Sequence, residues 1–213
     1  MSNHRSKAMD EQIGQRSALI RELYEWQTPD EMRDRVDRLA HILGNDSMQR
    51  VGKPFREAWV ANRFARRGGY DAVRLLHEND VGTTPDFAVR VGQEQRRFET
   101  TEADVPGRRR QAEFRDPSQG GVQPMVFTSL TVMVAHIQAL VTKKAAKRYD
   151  DCAGLIIHMN PPMFSFEPRF RTEQFLEATA PAAASFREVW LLRDLGVLLW
   201  KDGKPADKVP DDF

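Results

Sequence analysis

The chain predicts an α/β fold in which a mixed β-sheet is flanked by helices and preceded by a helical extension. Three observations carry this. A helix-forming run over 55–67 stops at Gly68-Gly69, short alternating segments follow around Asp86 and Glu99, and a long apolar helix then leads into the strand-like run Ala153-Gly154-Leu155-Ile156-Ile157-His158-Met159. That order of elements describes helices layered on a sheet. The 213 residues can bury a sizeable core and divide most simply into an extension over 1–50 and an α/β domain over 51–213.

In the extension, Ile13, Leu19, Ile20, Leu23 and Tyr24 recur at roughly helical spacing between Glu11 and Trp26. Thr28-Pro29-Asp30-Glu31 then supplies an N-cap, a proline at the first helical position and an acid at the third, so a second helix starts there. Its apolar stripe is Met32, Val36, Leu39 and Leu43, and Gly44-Asn45-Asp46 ends it. Such helices suit a cap, an arm for homodimerisation or a plain packing extension, and the sequence leaves these open.

The helix over 55–67 places Glu57 on a stripe with Ala61 and Phe64, whereas Arg56, Arg63 and Arg67 share another face. A carboxylate leaning inward needs a partner, either an arginine in a buried ion pair or a role beside a metal. Ala72-Val73-Arg74-Leu75-Leu76 reads as the first strand. The second runs from Asp86, turns at Gly92-Gln93, and returns as the third through Arg97-Phe98-Glu99-Thr100-Thr101-Glu102. Alternation sets Phe87, Val89 and Val91 against Asp86 and Ala88, and Phe98 and Thr100 against Glu99 and Thr101. Asp86 and Glu99 are thus expected on the less apolar face of one hairpin, with carboxylates within about 6 Å. Two acids so close are costly unless a cation lies between them, and a hard divalent metal suits oxygen donors best. The pattern points to phosphodiester chemistry.

Beyond the hairpin, the stretch from Val105 to Gly121 is polar and glycine-bearing, which predicts a loop, and it carries Arg108, Arg109, Arg110 and Arg115. These arginines are candidates for phosphate contact, although a solvated arginine run is the plainer reading. The long helix is expected from about Thr128 to Arg148, ending in Lys143, Lys144, Lys147 and Arg148. A helix over 172–184 with a break at Pro181, strands over 188–192 and 197–200, and a loose polar tail from Lys201 complete the reading.

Element order and acid placement resemble the PD-(D/E)XK nuclease superfamily, which has the restriction-endonuclease-like fold. That superfamily carries an aspartate after a proline on the second strand, an acid two residues before a lysine on the third, and often a glutamate on the first helix. Pro85-Asp86, Glu99 and Glu57 stand at the matching positions, and the resemblance covers roughly 54–159, about half of the chain. It implies Mg²⁺ or Mn²⁺ held by Asp86, Glu99 and the main-chain carbonyl of Thr100, with Glu57 completing the shell. Where the superfamily has lysine this chain has Thr101, which brings no positive charge. A lysine reaching in from the long helix would replace it, and Lys144 is favoured over Lys143 and Lys147. The resemblance therefore implies a metal-dependent nuclease acting on nucleic acid, DNA favoured over RNA, with Glu57, Asp86, Glu99, Thr101 and Lys144 in the catalytic constellation. The alternative is a nuclease-fold protein that has lost catalysis and serves as a binding or interaction module.

Other chemistries find little support. Lys plus Arg number 32 against 31 Asp plus Glu, so a nucleic-acid surface must arise from local clustering. The single Cys152 excludes an internal disulfide and a cysteine-rich zinc site. His4, His41, His77, His136 and His158 lack metal-ligand spacing. Glycine-rich phosphate loops and a Gly-x-Ser-x-Gly elbow are absent. No apolar run is long enough to span a bilayer and no apolar leader opens the chain, so a cytoplasmic location without membrane association is expected.

Overall fold

A computed structural model describes residues 2–43, 52–78, 83–104, 130–149, 151–159, 172–192 and 196–207. Its helices are α1 (Ser2–Glu22), α2 (Pro29–Leu43), α3 (Lys53–Gly68), α4 (Leu130–Ala145) and α5 (Thr172–Ala183). The strands are β1 (Ala72–Leu75), β2 (Phe87–Val91), β3 (Glu94–Ala103), β4 (Gly154–Met159), β5 (Glu188–Leu192), β6 (Gly196–Lys201) and β7 (Lys204–Pro205). The strands follow chain order in a seven-stranded mixed sheet. Antiparallel pairs β1–β2, β5–β6 and β6–β7 bracket the parallel pairs β3–β4 and β4–β5. Parallel neighbours need crossovers, which the segments holding α4 and α5 provide. The expected α/β class with N-terminal helices is therefore present.

Two compact units divide the chain: residues 1–77 with 86–96, and residues 78–85 with 97–213. The boundary expected at 50/51 falls outside the described residues. In the first unit, α2 begins with the expected capping box. Glu31 Oε2 accepts from the Thr28 backbone N–H at 2.7 Å, and the Thr28 hydroxyl accepts from the Glu31 N–H at 3.2 Å. Those bonds hold the Glu31 carboxyl below its usual pKa. Met32, Val36 and Leu39 are buried as the stripe predicts. Helix α3 buries Phe55, Ala58, Ala61 and Phe64, with Phe64 edge-on to Phe87 of β2. It closes at Gly69, whose φ of 65° favours a residue without Cβ.

The second unit centres on β4, buried at every position. One side of the strand packs Leu155, Ile157 and Met159 with Met133, Ile137 and Val141 of α4 and Phe175, Ala178 and Ala182 of α5. Gly154 is needed there because a Cβ would meet the Glu188 carbonyl oxygen at 2.8 Å and the Phe98 ring at 2.9 Å.

Several local expectations are corrected. Helix α1 ends at Glu22 rather than Trp26, because Leu23 turns its carbonyl to the Leu75 N–H of β1. Val91 is about half exposed instead of joining the apolar face, since β2 is ending there. Helix α4 stops at Ala145, which leaves Lys147 and Arg148 beyond it in a turn and an irregular stretch. Helix α5 runs through Pro181, where so late a proline forfeits only one backbone bond while Ala178 and Ala182 stay packed. The tail is not loose at Lys201. Asp202 and Gly203, both at positive φ, turn it back as β7, a signal the Asp-Gly pair already carried.

Candidate active site

In the first unit the acidic positions meet a lysine. Asp86 sits just ahead of β2, and its carbonyl accepts from the Leu76 N–H at 3.0 Å, which extends the β1–β2 ladder by one step and fixes the residue. Its side chain is buried. Glu57, on the second turn of α3, is hydrogen-bonded to Asp86, as its inward stripe requires. Lys53, four residues earlier on the same helix, places Nζ 3.5 Å from Glu57 and 3.7 Å from Asp86. Burial and the neighbouring Asp86 charge push the Glu57 carboxyl up to about 9, and Lys53 only partly opposes them. Glu57 is thus protonated at neutral pH and donates to Asp86. The sequence pattern offered an arginine as an ion-pair partner of Glu57; the cation found beside it is Lys53, which the i,i+4 spacing signals.

In the second unit Glu99 of β3 is buried and forms a salt bridge with Lys144 from the last turn of α4. Lys144 is half-buried, whereas Lys143 and Lys147 are exposed. Of these three lysines it is Lys144 whose amine is paired with Glu99. Thr101 is buried two positions along β3, on the Glu99 side by alternation, and pairs in register with Ile157 of β4. Thr100 pairs with Ile156. One step further, Glu102 and His158 are cross-strand neighbours, with Oε1 3.9 Å from Nδ1.

Glu57 and Asp86 therefore belong to one unit, and Glu99, Thr100, Thr101 and Lys144 to the other. Arg108, Arg109, Arg110 and Arg115 lie outside the described residues. Among the described residues no group of three or more His, Cys, Asp or Glu side chains could hold a metal ion. Asp86 and Glu99 each carry a carboxylate, the donor type that hard cations such as Mg²⁺ or Mn²⁺ prefer. No described helix is long and apolar enough to cross a membrane. No family model matches the chain, and neither a curated protein nor a solved structure does.

Proposed function

We propose that this protein is a metal-dependent nuclease of the restriction-endonuclease-like kind, hydrolysing phosphodiester bonds of nucleic acid, DNA in preference to RNA. The observation that carries the proposal is the buried Glu99–Lys144 pair. A lysine from a distant helix is matched to the acid that precedes the position where a motif lysine is missing. In this reading Asp86, Glu99 and the Thr100 carbonyl are the ligands for Mg²⁺ or Mn²⁺, which when bound supplies Lewis acidity at the phosphate and a water of lowered pKa. Lys144 sets a positive charge where the phosphoryl oxygens gain negative charge. Protonated Glu57 holds Asp86 in place through its hydrogen bond while withholding a second negative charge from that corner. The N-terminal helices serve as a packing layer or a homodimer contact.

A second reading has its own support. Lys53 beside Asp86 and Lys144 beside Glu99 already offset both carboxylates, the condition expected of a nuclease fold that keeps only binding. Cleavage of single- and double-stranded DNA and RNA, measured with Mg²⁺ or EDTA, decides between them. A nuclease at this site loses activity on Asp86→Ala and falls by at least about a hundredfold on Lys144→Ala, the scale of removing one stabiliser of transition-state charge. Absence of wild-type cleavage, with no heat on calorimetric titration of Mn²⁺, sinks the catalytic reading and leaves the binding module.

A further inference from the structure

The segment joining α1 to α2 closes the free edge of β1. Gln27 and Val73 exchange both backbone hydrogen bonds, at 3.2 and 2.8 Å, and the Leu75 N–H donates to the Leu23 carbonyl at 2.8 Å. This antiparallel bridge sets Trp26 across from Arg74, one step along the ladder. The β1–β2 register pairs Ala72 with Arg90 and Arg74 with Ala88, so Arg90 shares that face. The outcome is two guanidinium groups on one indole, with Arg74 at 4.7 Å and Arg90 at 5.0 Å from the ring centroid of Trp26.

Among the described residues this cluster has no anion beside it: neither guanidinium meets a carboxylate, and Nε of Arg74 is buried with no acceptor. Each cation–π contact is only modestly favourable at a partly exposed site. A buried donor left unmatched is costly, and the two like charges repel as well. An oxyanion that reaches the exposed side of both guanidinium groups relieves their repulsion. Trp26, Arg74 and Arg90 are all half-buried, so one edge of the cluster faces solvent.

We propose that Trp26, Arg74 and Arg90 form a contact site for the phosphodiester backbone of a nucleic acid. Guanidinium forks match phosphate oxygens in pairs, and a partly exposed indole offers a stacking surface that any base accepts. The choice of a nucleic acid among polyanions rests on the nuclease reading above.

The test is fluorescence anisotropy of labelled single- and double-stranded oligonucleotides with the full chain in EDTA, across a salt series. Arg74→Gln/Arg90→Gln should weaken binding about tenfold and reduce the slope of log affinity against log salt by about two, one for each phosphate no longer neutralised. Arg74→Lys/Arg90→Lys should retain most of the slope because it retains the charge. Arg187→Gln, which removes an exposed partner of Asp202, should bind like wild type. Should the double glutamine variant unfold by circular dichroism, Arg90→Gln alone reads the same slope at about half the change. No oligonucleotide binding by wild type, or unchanged affinity and slope in the glutamine variants, overturns the site. Arginine-dependent binding without cleavage in Mg²⁺ overturns the nuclease reading alone, whereas cleavage with affinity indifferent to both arginines overturns this site alone.

Discussion

Asp86 and Glu99 are both buried acids served by a lysine, but they are served in different ways. Beside Asp86 the cation is Lys53, half exposed and one helical turn from Glu57, and a second carboxyl shares the corner by keeping its proton. Beside Glu99 the cation is Lys144, 45 residues away along the chain, and the carboxylate is only about 5% exposed. In the first arrangement local helix spacing sets the Lys53–Glu57 pair, and only Asp86 has to be brought to it. The second exists only because α4 and β3 are folded together, so the two corners should respond differently when a partner is removed.

The largest response is expected at the long-range pair. Lys144→Met takes the salt-bridge cation away from buried Glu99 and should destabilise the protein by about 3 kcal/mol, a loss that Glu99→Gln in the same chain largely restores. Urea denaturation of the single and double variants measures both. Comparable effects of Lys53→Met and Lys144→Met would erase the distinction, because Lys53 is exposed enough for water to replace it.

Glu57 gives the next response, and its sign is set by the raised pKa. The folded state holds a proton that an unfolded glutamate, at about 4.5, gives up. Stability from this group is therefore complete below about pH 4.5 and declines as pH climbs toward about 9. Glu57→Gln mimics the protonated form, so it should flatten this decline and gain on wild type by on the order of 1 kcal/mol per pH unit between neutrality and pH 9. Parallel stability curves for the two proteins over that interval would show that Glu57 is ionised and that the corner holds two charges.

The smallest change sharpens the strand that positions Glu99. Gly154 pairs in register with Phe98, and a methyl group there meets the Glu188 carbonyl and the Phe98 ring. Gly154→Ala should cost about 1–2 kcal/mol in urea denaturation. Because it presses on β3 rather than on β2, Mn²⁺ titration of Asp86→Asn with and without it tells which corner the strain reaches.

Much of the fold could be read directly. Thr28 and Glu31 announce a helix start, Gly68-Gly69 a helix stop, and the runs at 72–75, 87–91, 154–159 and 188–192 are strands by pattern. The inward lean of Glu57 was legible from its helix face, and a basic cluster of Lys143, Lys144 and Lys147 was legible on the long helix, but not which of them meets Glu99. Lys53 is legible too, because it stands four residues before Glu57 on the same helix. The cluster at Trp26 was not, because the chain from Leu23 to Gln27 has no strand pattern of its own and is ordered by hydrogen bonds to β1.

By itself the sequence determined what depends on neighbours a few residues apart: helix caps, apolar periods, the Gly92 and Asp202-Gly203 turns, and therefore the α/β class. Tertiary structure alone decided which lysine meets Glu99, which aromatic ring lies under Arg74 and Arg90, and that Pro181 stays within a helix. The physical reason is range. Caps and turns are settled by backbone dihedrals and hydrogen bonds that one short segment contains, whereas an ion pair across 45 residues or a ring laid on a sheet edge forms only after hydrophobic burial has brought separate segments together.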